Sequence, residues 1–111
     1  MKLIDKEVLM LNQVIIVGTI SSDMKFQHYD NGLIKISLDL NVGMLSERQE
    51  SNVQTIPITL NGNIAMISGE YLKVGMTVGV KGSIMTRDSK IEVVADKLTF
   101  INTSTSEDIN N

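Results

Sequence analysis

A β-barrel of five strands, with a single helix between the third and fourth, is the all-β fold that the sequence predicts. Three observations predict it. Apolar and polar residues alternate at period two through several segments, which puts every second side chain on one face of a strand. Asn31-Gly32 stands between two of those segments, and an Asn-Gly pair readily takes the positive φ angles of a tight hairpin turn. From Asn63 the apolar spacing lengthens to three and four residues, the period of a helix.

Residues 1–11 read as a short leader whose Val8, Leu9 and Met10 are expected to touch the body. The first strand begins at Asn12 and reaches about Met24. Val14, Ile16, Gly18 and Ile20 share one of its faces, and Gln13, Ile15, Val17 and Thr19 the other, so apolar residues near its middle expect cover on both sides. The second strand, 33–43, alternates Ile34, Ile36, Leu38, Leu40 and Val42 with Lys35, Ser37, Asp39 and Asn41, and the turn before it predicts antiparallel pairing with the first. Residues 45–52 are polar and read as an exposed loop. A third strand runs from Val53 to Leu60, with Ile56, Ile58 and Leu60 inward and Thr55, Pro57 and Thr59 outward. Pro57 has no N–H to give a ladder and belongs at an edge or a bulge. Ile64, Ile67, Tyr71 and Leu72 fall on one stripe of a helix of about three turns, stopped by Gly75. The fourth strand, Thr77–Thr86, alternates Val78, Val80, Gly82 and Ile84 with Gly79, Lys81, Ser83 and Met85. Arg87-Asp88-Ser89 makes a short turn into the β-branched last strand, Lys90–Ile101, and residues 102–111 have the composition of a disordered tail. The domain is therefore expected over 12–101.

Composition narrows the chemistry. The 111 residues suit one domain, and 42% hydrophobic with 21% charged residues is ordinary globular usage. The absence of cysteine removes disulfides, thiolate metal sites and cysteine nucleophiles, and a lone His28 cannot build a histidine cluster. No apolar run approaches the ~18 residues of a membrane span, and the acidic N-terminus lacks a signal-peptide core, so a cytoplasmic location without membrane contact is the expectation. Gly75, Gly79 and Gly82 do not form a phosphate cradle between strand and helix, and Glu47 and Glu50 have no acid–base partner nearby. Nothing assembles a nucleophile, a base and an oxyanion site, so no enzyme, metal or cofactor is expected. The net charge of −3 is not the basic balance of a protein living on phosphate backbones. Between Asn12 and Asn102 eight bases face nine acids, so any basic face must come from arrangement.

Three strands, a helix and two strands is the order of an OB-fold, the five-stranded, partly open Greek-key barrel with its helix between strands three and four. Asn12-Gln13-Val14-Ile15-Ile16-Val17-Gly18-Thr19-Ile20 resembles the N-x-V-x-L-V-G-x-L opening strand of the bacterial single-stranded DNA-binding protein family. The resemblance continues through Asp30-Asn31-Gly32 and is sharpest from Gly69 to Ile84, similar to the family's E-Y-L-x-K-G-x-x-V-x-V-x-G-x-L. It closes with Thr86-Arg87 and Glu92-Val93-Val94-Ala95-Asp96, and covers about residues 12–101.

The family grips single strands by stacking bases on aromatic side chains, worth roughly 1–3 kcal/mol per base, in a basic groove. Set beside this sequence, its stacking tryptophans fall at Met44 and Thr55 and its phenylalanine at Asn61. The hairpin carrying a fourth aromatic is cut to Arg87-Asp88-Ser89-Lys90. The family's glycine-rich linker and acidic Pro-Phe tip are not found in residues 102–111. The pattern resembles the family's shortened relatives, such as the primosomal replication protein PriB, which keep the barrel and bind through basic residues.

The resemblance implies binding of single-stranded DNA in replication, recombination or repair, or in a mobile element's replication, without strong sequence preference. Lys35, Lys81, Arg87 and Lys90 project opposite the apolar stripes, where an OB-fold offers its groove. Met44 and Thr55 occupy the stacking positions, and Phe26 and Tyr29 flank the hairpin. Each has a plainer role as well: solvated strand charge for the cations, gap filling for Met44 and Met85, packing of the hairpin tip for the two rings. Tyr71 and Phe100 fall on apolar stripes and are expected in the core, and His28 in an exposed turn. The alternative function is an interaction or assembly module that has lost DNA binding; a continuous positive groove over strands two to five would favour the first reading, a neutral or acidic one the second. Gln13, Ile15 and Val17, on the outward face of the first strand, are the expected oligomer interface. In the resembled family this segment pairs across a two-fold axis, which implies a homodimer or homotetramer; replication or repair proteins are the other implied partners.

Overall fold

The alternating segments fold as strands and the Asn63 segment as a helix, in the order β1 (Val14–Ile20), β2 (Lys25–His28), β3 (Ile34–Leu45), β4 (Ser51–Asn61), α1 (Gly62–Ser68), β5 (Thr77–Arg87) and β6 (Lys90–Ile101). This computed structural model describes residues 10–45 and 51–101, and of residues 44, 45, 51 and 52 the backbone alone. The expectations for Val8 and Leu9, for Glu47 and Glu50, and for the tail from Asn102 lie outside the described residues. Met10 is 94% exposed, so the packing on the body expected of it is not found. The polar stretch expected to be loop from 45 to 52 is paired at both ends, Leu45 with Ser51 and Met44 with Asn52.

Hydrogen bonding runs in the order β1-β5-β6-β4-β3-β2, and β1 also meets β3, which closes β1, β5, β6, β4 and β3 into a barrel. All of these pairings are antiparallel except β4–β6, where Ile58 and Thr59 lie in parallel register with Val93 and Val94. This is the five-stranded OB-fold barrel, with β2 added as an extension on β3 and α1 between the third and fourth barrel strands.

The first expected strand stops early, at Ile20, and a separate strand, β2, begins at Lys25 beyond its expected end. β1 pairs with β3 only through Thr19–Asn41 and Ile20–Leu40 and spends the rest of its length on β5. The Asn31-Gly32 hairpin therefore joins β2, not β1, to β3, with Gly32 at φ 87°. Between β1 and β2 the chain leaves the ladder, and serines take over the backbone groups of Asp39. The Ser21 N–H and Oγ both donate to the Asp39 carbonyl, at 2.9 and 3.3 Å, while the Asp39 N–H donates to Ser22 Oγ at 3.2 Å. Because the N–H and C=O of Asp39 both point toward β1, the Asp39–Pro57 pair of β3 and β4 is the non-hydrogen-bonded kind. The missing N–H of Pro57 then faces β6, just beyond the short parallel contact, which is how a proline is tolerated inside a barrel strand.

Two close approaches need glycine. A Cβ on Gly18 would stand 2.6 Å from the Asn41 carbonyl oxygen, where β1 crosses onto β3, and one on Gly82 would overlap the Val94 carbonyl beside the β6 bulge at Asp96. Inside the barrel Ile20, Ile36, Leu38, Leu40, Ile58, Leu60, Val78, Val80 and Val93 are buried, each large side chain contributing roughly 1.5–3 kcal/mol by leaving water.

The helix is shorter than expected and turned. It ends at Ser68, and its buried residues are Ala65 and Ser68, with Leu72 following in the loop. Ile67 is 68% and Tyr71 57% exposed, and Tyr71 packs edge-on to half-exposed Phe100, ring centroids 6.3 Å apart. These three were expected in the core. For the helix the reason is space: where α1 meets the barrel, a Cβ on Gly69 would already stand 3.2 Å from Ile36 Cδ1, so Ala65 and Ser68 face inward with Ile64 packed beside the core, and Ile67 and Tyr71 turn out. Thr59 was expected outward. It does face away from the core but is 2% exposed, because β6 brings Glu92 over it. No helix among the described residues is long and apolar enough to cross a membrane.

Candidate nucleic-acid interface

Because strand side chains alternate, the polar residues of β2, β3 and β4 form one outer face whose rows are fixed by register. Gln27, Lys35 and Asn61 make the first row, Lys25, Ser37 and Thr59 the second, Asp39 and Pro57 the third, Asn41 and Thr55 the fourth. The β5–β6 hairpin stands beside this face, with Met85 opposite Glu92 and Arg87 opposite Lys90. Its turn residues Asp88 and Ser89 both have positive φ, 52° and 67°, so a two-residue turn of the tight hairpin kind presents the two cations side by side.

Two clefts run along this surface and share Pro57 and Glu92. One, of about 140 Å³, lies among Ser22, Asp23, Lys25, Ser37, Asp39 and Thr59; the other, of about 260 Å³, lies under the hairpin among Arg87, Asp88, Lys90 and Ile91. Glu92 is tied into the wall between them: Thr59 Oγ1 donates to its Oε1 at 3.0 Å, and Arg87 Nη2 stands 3.2 Å from its Oε2. The same Nη2 is 3.4 Å from Met85 Sδ. Lys25, Lys35, Arg87 and Lys90 are matched along this surface by Asp23, Asp39, Asp88 and Glu92, so it is not a continuous positive groove.

Of the residues expected from sequence, Lys35, Thr55, Arg87 and Lys90 meet on this surface, and the Thr55 hydroxyl donates to Asn41 Oδ1 at 3.0 Å. Met44 lies on β3 opposite Asn52, and its side chain is outside the described residues. Lys81 is elsewhere. It pairs with Ile15 on β1 and Lys97 on β6, on the far side of the barrel. Phe26 pairs with Ile36 and so shares its core-facing side, its ring against Gly69 at the end of α1. Tyr29 opens the hairpin, where its N–H donates to Leu33 O and its carbonyl accepts from Gly32 N–H. Lys25, Thr59 and Glu92 were missed. A two-residue turn places residue 87 diagonal to residue 92, so the Arg87–Glu92 pair was readable once that turn was assigned; the burial of Thr59 depends on the β4–β6 contact and was not.

The opposite surface is apolar. Ile15 and Val17, 74% and 52% exposed, line a shallow concavity with Gly79, Thr99 and Ile101, flanked by Lys81 and Lys97. Gln13, just before β1, is exposed.

Residues 11–101 match the sequence model of the single-strand binding protein family. The single-stranded DNA-binding protein 1 of Nostoc sp. is 28% identical over 95 residues, covering 86% of this chain and 74% of that protein. The single-stranded DNA-binding protein of Caldanaerobacter subterraneus is 34% identical over 104 residues, covering 83% and 69%. Among solved structures, PriB of Ralstonia solanacearum superposes with a TM-score of 0.71 at 11% identity, over 84% of this chain and 100% of that one. A deletion mutant of the single-stranded DNA binding protein from Thermus aquaticus superposes with 0.67 at 21% identity, over 85% and 52%. At such identities the two superpositions establish a shared fold.

Proposed function

The chain belongs to the single-strand binding protein family, and on that premise we propose that it binds single-stranded DNA along the outer face of β2, β3 and β4 and under the β5–β6 hairpin. The match of the family over the whole barrel carries this reading. Binding is without strong sequence preference and has no chemical step. Lys25, Lys35 and Lys90 meet phosphates, while Pro57 and Ile91 offer apolar surface to bases in place of the rings that the resembled family carries on this face. With stacking worth ~1–3 kcal/mol per base, the loss of those rings predicts weaker, more electrostatic binding than in aromatic-rich relatives. A protein of this kind acts in replication, recombination or repair, in the cytoplasm, alongside other replication or repair proteins. The Ile15–Val17 surface pairs two copies across a two-fold axis, and dimers pair again if a tetramer forms.

Anisotropy titrations with oligo-dT at several salt concentrations test the DNA reading. Each phosphate contact on a single strand contributes ~0.7 log unit of affinity per log unit of salt. Replacing Lys25, Lys35 and Lys90 together by Ala should weaken binding and flatten the slope by about 2, whereas Lys81→Ala should leave the slope unchanged. One observation favours a second reading, an interaction module: the acids that balance the cations of the face. Absence of oligo-dT binding at low salt would make that reading the better one.

A further inference from the structure

Arg87 stands at the mouth of the cleft under the hairpin, where a phosphate would find it, yet one nitrogen of its guanidinium already faces an anion. Its Nη2 is 3.2 Å from Glu92 Oε2, and its side chain is 49% exposed against 17% for Glu92. The carboxylate is fixed from the other side by the buried Thr59 hydroxyl, 3.0 Å from Oε1. Oε2 is sealed from solvent and accepts no hydrogen bond, so Arg87 is its counter-charge among the described residues. A carboxylate oxygen sealed from water favours a cation beside it, because without that cation it faces no partner at all. A phosphate reaching the hairpin must therefore displace an anion that the fold has put there first. Lys90, across the turn, has no such carboxylate partner among the described residues.

We propose that Glu92 is a built-in competitor for phosphate, a positioning residue that withholds Arg87 from DNA and so sets how many phosphates the hairpin engages. This rests on the single-stranded DNA reading and adds to it a count: Lys90 meets the strand at the hairpin, Arg87 does not. The carboxylate lines both clefts, so the same group also repels a phosphate passing from one to the other.

Salt titrations of oligo-dT binding distinguish this from a merely structural ion pair. In Glu92→Gln the amide oxygen still accepts from Thr59, while the anion that holds Arg87 is gone. Affinity at low salt should rise on the order of threefold to tenfold, the range of a lost ion pair of up to about 1 kcal/mol plus relieved repulsion. The slope should steepen by about 0.7 as one more phosphate is engaged. Glu70→Gln, the same charge change on an exposed loop residue beyond α1, should do neither, and the gain should vanish in the double variant E92Q/R87A. Arg87→Ala alone should leave the wild-type slope unchanged; a slope flatter by about 0.7 would mean that Arg87 already contacts phosphate and would overturn the proposal, whatever the stability of E92Q. An E92Q protein that binds no tighter than wild type, a gain matched by E70Q, or one that survives loss of Arg87 would overturn it too and leave the DNA reading standing. If neither wild type nor E92Q binds oligo-dT at low salt, both readings fall together.

Discussion

Asn12 is a polar residue doing the work of a strand. It precedes β1, and its side chain takes both backbone groups of Ile84: the Ile84 N–H donates to Oδ1 and Nδ2 donates to the Ile84 carbonyl, each at 2.8 Å. The carboxamide thereby continues the β1–β5 ladder past its last backbone pair, Val14–Gly82, and steadies β5 where the hairpin leaves the barrel. Asn12→Ala should cost about 1–3 kcal/mol, two hydrogen bonds at a net of roughly 0.5–1.5 kcal/mol each. Thermal melting should show it as a loss of roughly 4–8 °C per kcal/mol for a domain of this size. At this scale the sequence was legible by residue type more than by partner. Lys35, Lys81, Arg87 and Lys90 all lie outside the barrel, but Lys81, with the same alternation as the others, is on the other side of it from Lys35. Alternation sorts side chains into inside and outside, and in a closed barrel the outside has more than one direction.

At the scale of elements, α1 shows how packing overrides a pattern. Its N-cap Asn61 makes no side-chain cap bond, and neither end carries a charge suited to the helix dipole. Seven residues without caps do not hold a helix in water. It exists because Ala65 and Ser68, with Ile64 beside them, fit against the barrel, and that fit turns Met66 and Ile67 outward. Ile67→Lys should therefore change stability by no more than about 0.5 kcal/mol, as an exposed substitution does. Ala65→Leu should destabilise by about 1–3 kcal/mol through overpacking, although it adds apolar surface. Denaturant midpoints of the two variants check this, and a core role for Ile67 would reverse their order. The early end of the first strand has the same origin. The expected strand reached about Met24, but β1 must cross from β5 to β3 to close the barrel, and Ser21 and Ser22 replace ladder bonds where it leaves.

For the whole molecule, the Ile15–Val17 surface is the feature a lone barrel leaves unaccounted for. Cross-strand neighbours Gly79 and Thr99 are small or short, so the two apolar side chains stand over a flat floor that a second copy of β1 can cover. Replacing Ile15 and Val17 by Asp and Lys in one protein should give a folded monomer by sedimentation at micromolar concentration, with the far-UV spectrum of the parent barrel. A wild type that sediments as a monomer would count against pairing through β1, and a double variant that stays oligomeric would move the interface elsewhere. The variant also probes the proposed DNA face on the opposite side, since a monomer should keep the oligo-dT salt slope per chain.

By itself the sequence determined the class of fold, the number and order of barrel strands, the place of the helix and the family. The first three follow from local periodicity, turn chemistry and residue spacing, which act over a few neighbours; the family followed from the resemblance of its motifs over about residues 12–101. Tertiary structure alone decided that β4 and β6 run in parallel, that Thr59 is buried beneath Glu92, and that Lys81 belongs with Ile15 and not with Lys35. Those facts come from closing the barrel, which brings together strands more than thirty residues apart in register. No period within one strand carries information about which distant strand its outer face will meet.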